Sequence, residues 1–260
     1  MQRQVIAIAG VELEMCEAGE GPPILFLHGA QGFAPEHPYV APLSERHRLI
    51  APSHPGFGTS SLPDWIDSVD DIAYIHLELL DRLRLDQVDV IGCSIGGWIA
   101  AELATKAPKT VRRLVLVGPV GVKTGPVDRL DVPDIFALPQ SNLQKLLFHD
   151  PERMRVDPAR LSDEQLAISA RNRETLALLS WEPYMHNPKL RHRLHRVTAP
   201  ALFLRGESDG LVSAEYFAAY ARLLPNARTA TIAAAGHAPH VEQTEEFART
   251  VLQFLEVGAV

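Results

Sequence analysis

The amino-acid sequence predicts an α/β protein built on one mostly parallel sheet, with a helical segment inserted before its last two strands. Two observations lead there. Short continuous apolar runs alternate with stretches whose apolar residues recur every three or four positions, in the first half of the chain and again near its end. Between residues 122 and 195 that alternation lapses, and Asp, Pro, Arg and His punctuate short helical stretches instead. Strands buried on both faces read as unbroken apolar runs, whereas helices covering them repeat about every 3.6 residues. Alternation of the two implies right-handed crossovers between parallel strands.

The elements follow in order. Residues 5–9 and 11–16 flank Gly10, the pattern of a hairpin. Residues 24–27, after Pro22 and Pro23, read as a buried strand, and another lies near 48–51. Ser68 with Asp71 marks a helix start, and Ile72, Ile75, Leu79, Leu80 and Leu83 give its apolar face. Residues 88–91 form a compact strand, 92–97 a turn, and 98–107 a second apolar helix stopped by Pro108. A strand at 111–117 follows, then helical segments at 143–148 and 161–179. Strand 201–205, helix 214–224, strand 227–233 and helix 241–255 complete the pattern. The division this implies is a sheet domain of residues 1–121 and 196–260, and a helical cap of residues 122–195.

Bulk properties narrow the function. At 260 residues, with 46% hydrophobic and 22% charged residues, the chain suits one large domain with an insertion. A net charge of −7 with scattered Lys and Arg argues against nucleic acid or an anionic membrane as partner. The two cysteines, Cys16 and Cys93, offer neither a disulfide framework nor metal-ligand spacing. The apolar run 5–11 meets Glu12 and Glu14 at once and lacks a cleavage site, so a strand fits better than a signal peptide. No run approaches the roughly 18 apolar residues of a membrane helix. The expectation is a soluble cytoplasmic protein, monomeric or homodimeric.

The strongest chemical signal is Gly92-Cys93-Ser94-Ile95-Gly96-Gly97, between a buried strand and an apolar helix. A serine hydroxyl is a poor nucleophile unless it is exposed and bonded to a base. A sharp strand-to-helix turn exposes it but crowds the backbone, and Gly92 and Gly96 answer that crowding. Ser94 then sits at a helix N-terminus, where unpaired N–H groups favour negative charge. Downstream, Asp209 in Gly206-Glu207-Ser208-Asp209-Gly210 follows a strand, with Glu207 as a rival acid and Asp128 or Asp131 as weaker ones. His237, after Gly236 and the last strand, is the candidate base, with His240 as fallback. Imidazole titrates near neutrality, and a carboxylate on its second nitrogen fixes the tautomer. An oxyanion needs two converging donors, which the backbone N–H groups of Ile95 and Ala30 would supply. Ala30 lies in Leu27-His28-Gly29-Ala30-Gln31-Gly32, where His28 reads as a structural hydrogen-bonding residue.

Nucleophile, acid and base in that order resemble the α/β-hydrolase superfamily, in particular its bacterial carboxylesterase and carbon–carbon hydrolase branch. The likeness extends over nearly the whole chain and includes Pro55-Gly56-Phe57-Gly58-Thr59-Ser60, similar to the Gly-rich loop after strand four. It implies a mostly parallel eight-stranded sheet flanked by helices, a helical cap between strands six and seven, and no metal or organic cofactor. Family members often carry Asp two residues before that Pro, where this chain has Ser53 followed by His54. Carbon–carbon hydrolases often place a Trp just after the catalytic His and an Arg in the cap. Here Ala238, Pro239 and His240 follow His237, and Arg171 or Arg173 would have to be that Arg. Ester hydrolysis of a small-molecule substrate is therefore favoured. Carbon–carbon hydrolysis and a non-catalytic ligand-binding role are the alternatives. Phe136, Phe148 and Trp181 of the cap, with His28 and Gln31, are candidates to line an apolar pocket.

Overall fold

Successive residues of the third strand, β3 (Pro23–Leu27), enter opposite cores, because side chains alternate across a pleated sheet. Ile24 and Phe26 join one apolar cluster, and Leu25 and Leu27 join the other. The same division holds in the parallel strands β5 (Val88–Cys93), β6 (Val111–Val117) and β7 (Ala201–Gly206), which is why each carries consecutive apolar residues, Val90-Ile91, Leu114 to Val117 and Ala201 to Leu204. The remaining strands are β1 (Gln2–Ile8), β2 (Val11–Ala18), β4 (Arg48–Pro52) and β8 (Ala227–Ile232). This computed structural model describes residues 1–256, so the expected final helix is covered almost to its end.

The sheet has eight strands in the order β1-β2-β4-β3-β5-β6-β7-β8. β1–β2 and β2–β4 are antiparallel, and every other pair is parallel. Helices α2 (Val69–Arg82) and α3 (Ile95–Lys106) flank it between strands, and α6 (Ala214–Ala221) and α8 (Thr244–Glu256) follow β7 and β8. Ser68 and Asp71 form the expected capping box of α2, each side chain bonding the other's backbone N–H. Between β6 and β7 run α4 (Gln140–Leu147), α5 (Asp163–Ser180) and short 3-10 turns, with no strand of the sheet. Among the described residues no helix is long and apolar enough to cross a membrane.

Three departures from the sequence reading have local causes. α3 begins at Ile95 rather than 98, because Gly96 and Gly97, read as turn, are already helical, Gly96 packed on the Leu27 and His28 carbonyls and Gly97 on Pro119. The last helical stretch is split into α7 (Pro239–Glu242) and α8 by Gln243, whose φ of −130° and ψ of 58° leave the helical region. α1 (Val40–Ser44), five residues long, is too short to show a period and was not expected.

Candidate active site

Ser94 joins β5 to α3 with φ 55° and ψ −115°, a strained conformation for a residue with a Cβ. Its surroundings hold it there. Its N–H donates to Val117 O at 2.8 Å, and its carbonyl accepts from Gly97 N–H at 2.9 Å and Trp98 N–H at 3.2 Å. A Cβ at Gly92 would overlap the Gly96 carbonyl, and one at Gly96 would overlap the Leu27 carbonyl, so the turn tolerates neither. The N–H of Ile95, first in α3, is one of those a helix start leaves without an intrahelical partner. The loop after β3 lies across this turn: a Cβ at Gly29 would stand 3.5 Å from the Ser94 Cβ.

Asp209 and His237 come from neighbouring loops after β7 and β8. Glu207 N–H bonds Ile232 O and Ser208 N–H bonds Ala235 O, both at 2.8 Å, which knits the two loops together. The fully buried Asp209 carboxylate accepts on Oδ1 from Leu211 and Val212 N–H at 2.9 Å each. Its Oδ2 accepts from His237 Nδ1–H at 2.9 Å. A carboxylate there requires the proton on Nδ1, which leaves a lone pair on Nε2. That Nε2 is buried and makes no hydrogen bond, with Ser94 Oγ or any other described group. Ser94 and His237 each lie beside the end of β6: Ser94 N–H binds Val117 O, and the imidazole passes 3.0 Å from where a Gly118 Cβ would stand. Hydrogen bonds of this kind are often long before substrate binds.

The rival side chains are engaged elsewhere. Glu207 is exposed, facing Ala234 N–H, and Asp131 accepts from Thr124 and Gly125 N–H and pairs with Lys123. Asp128 is exposed. His240 packs against Tyr39 and Phe247, and its burial holds its pKa down at about 3.

His28, expected to border the pocket, is buried, with both ring nitrogens engaged. Its Nδ1–H donates to Gly29 O at 2.7 Å and its Nε2 accepts from His54 N–H at 3.1 Å. His54 returns Nε2–H to His28 O at 3.0 Å and accepts on Nδ1 from His76 Nε2–H at 2.8 Å. Burial lowers the pKa of His28 to about 4 and of His76 to about 3, and holds His54 well below its ordinary value. Neutral rings are what this chain of single donors and acceptors requires. Trp181 is 56% exposed and packs beside Phe136, while Phe148 is buried behind the His237 loop, its Cα 2.7 Å from where a Gly236 Cβ would stand. The Gln31 side chain is exposed, and its carbonyl is held by Asn172.

Glu14 of β2 braces the loop that follows β4. Its Oε2 accepts from Thr59 N–H at 2.9 Å and Ser53 Oγ–H at 3.1 Å, and Arg3 stands 2.6 Å from Oε1. Burial alone would raise its pKa, but those hydrogen bonds and the Arg3 charge bring it below the usual value. Gly118, Glu242 and Asn172 also escaped the sequence reading. Glu242 takes Gly236 N–H at 2.6 Å and His149 N–H at 2.8 Å, bracing the His237 loop.

This fold and this arrangement define one class of protein. The sequence matches the alpha/beta hydrolase family over residues 24–250, and the chain belongs to that family and is a hydrolase. Among curated relatives, it is 29% identical to a 2-hydroxymuconate semialdehyde hydrolase of Pseudomonas putida, across 97% of this chain and 93% of that one. It is 28% identical to a pimeloyl-[acyl-carrier protein] methyl ester esterase of Nitrosomonas europaea, across 92% of this chain and 97% of that one. A solved thermophilic esterase from Thermogutta terrifontis shares the fold, with a TM-score of 0.77, 23% identity and 98% of both chains covered.

Proposed function

We propose that the chain is a serine hydrolase of carboxylic esters that works through an acyl-enzyme intermediate. The observation that carries this reading is the buried His237–Asp209 pair, with a basic Nε2, at the strand end that also anchors the strained Ser94. Ser94 Oγ attacks the ester carbonyl carbon while His237 Nε2 takes its proton. The carbonyl oxygen becomes an oxyanion held by the N–H groups of Ile95 and Ala30. As the intermediate collapses, the C–O bond to the alcohol breaks and Nε2–H protonates the departing oxygen. His237 then deprotonates a water, which attacks the acyl carbon, releases the acid and restores Ser94. Asp209 stabilises the imidazolium in both halves. Residues 122–195 act as a cap over this site, with Phe136, Phe148 and Trp181 contributing apolar surface. No step calls on a metal or organic cofactor.

A second reading, carbon–carbon hydrolysis, draws on the name of the Pseudomonas putida relative. The cap arginines favour the ester. Arg171 donates to Gly58 O and Ser60 O, and Arg173 donates to Ile135 O at 3.5 Å over the Phe136 ring. Both guanidinium groups are thus engaged by the protein, and Ala238 follows His237 where a Trp would support the other substrate. The test is kcat/KM on p-nitrophenyl acetate and butyrate against a dienol diketone. Higher values on the esters are expected, and the reverse order would replace ester with carbon–carbon cleavage.

A further inference from the structure

The loop carrying Ala30 is held from two sides. From the sheet side, His54 grips His28 at both its ring and its carbonyl. From the other side comes Asn172 of α5, 2% exposed, whose amide bridges two loops: Nδ2–H donates to Gln31 O at 3.1 Å and Oδ1 accepts from Gly58 N–H at 2.9 Å. These partners fix which end of the amide is which, since only oxygen can meet the Gly58 donor and only NH2 can meet the Gln31 carbonyl.

Peptide geometry carries this contact to the oxyanion donor. A trans peptide is planar, with its C=O and N–H pointing in opposite directions. In the Gln31–Gly32 peptide, the C=O faces Asn172 and the N–H faces Gly29 O, at 3.1 Å. Gly29 O also receives His28 Nδ1–H at 2.7 Å, so its direction is set by both contacts. Gly29 C=O belongs to the same plane as Ala30 N–H, and fixing one aims the other. Gly32, at φ +90°, accommodates the arrangement because a Cβ there would stand 3.1 Å from Asn172 Nδ2.

We infer that Asn172 is a positioning residue that aims the Ala30 N–H through these two peptide planes, so that docking of α5 completes the oxyanion site. The inference rests on the reading of Ala30 as an oxyanion donor in serine ester hydrolysis. Loss of one such donor costs roughly 100- to 1,000-fold in turnover, and misaiming forfeits part of that.

Asn172→Asp is the sharpest probe, because it is isosteric and keeps an acceptor for Gly58 N–H while losing the donor to Gln31 O. kcat for p-nitrophenyl butyrate is expected to fall about 10- to 100-fold, with KM within about threefold. Affinity for a trifluoromethyl ketone, whose adduct on Ser94 bears the oxyanion, should fall by a similar factor. Asn172→Ala should behave alike. Thr175→Val breaks a bond from the same helix, to Gly56 O at 2.9 Å, outside the Ala30 loop, and should leave kcat near wild type. Active-site titration refers every rate to folded enzyme, so a variant that folds poorly still reports. Wild-type kcat and ketone affinity in both Asn172 variants, with Ser94→Ala inactive, would overturn the Asn172 role alone. Equal losses in Thr175→Val would reduce it to general anchoring of α5. Activity surviving in Ser94→Ala would instead remove the serine mechanism and the inference with it.

Discussion

Asp209→Asn is expected to lower kcat on a p-nitrophenyl ester by about 10,000-fold while leaving the fold intact. The hydrogen bonds around the carboxylate say why. Leu211 and Val212 both present N–H groups to Oδ1, so an amide at this position must turn its oxygen that way. Its NH2 then faces His237 Nδ1, which can meet it only with a lone pair. The ring proton moves to Nε2, the nitrogen that has to receive the Ser94 proton, and the base is lost without any change of shape. Turnover per titrated site, together with an unchanged melting temperature, checks this. Near-wild-type turnover would shift the acid role to Glu207.

Gly96→Ala should act on the fold itself. The new Cβ would overlap the Leu27 carbonyl and lie 2.5 Å from His28 O, both backbone atoms at the end of β3. No flexible side chain can give way, so α3 or the sheet must shift inside a close-packed core. A destabilisation of about 3 kcal/mol or more is expected, lowering Tm by roughly 6–12 °C, with activity lost alongside. Gly97→Ala meets Pro119 Cβ at 2.9 Å and should be milder. A Gly96→Ala melt within a degree of wild type would mean the elbow is not built as described.

Both outcomes trace to features that were visible in the sequence, and the reason is locality. The Gly-x-Ser-x-Gly spacing around Ser94 and the capping box of α2 are each complete within a few residues, although the carbonyls that Gly96 must clear, those of Leu27 and His28, lie far away in sequence. The strands that both cores bury carry consecutive apolar residues of their own. What escaped was set by distance along the chain. Asn172 lies 141 residues from the Gln31 carbonyl it holds, and an Asn within a polar helical stretch gives no sign of its partner. Gly118 ends a strand like any other glycine, and only the assembled loops show that an imidazole needs its missing side chain. Glu14 braces the loop after β4 from a neighbouring strand, a contact that the pairing of β2 with β4 makes available. For a related reason the sequence does not tell which way the aromatics of residues 122–195 face. α5 leaves Leu166 and Leu178 exposed, so apolar character does not tell which side of the helix is covered.

The central claim is that Ser94 is made nucleophilic by His237 at the rim of the sheet. Reaction of the native protein with a fluorophosphonate, followed by peptide mapping, measures it directly. The expected result is one covalent adduct on Ser94, formed at wild-type rate, absent in Ser94→Ala and strongly slowed in His237→Ala. An adduct on a different residue, or labelling undiminished in Ser94→Ala, would contradict it.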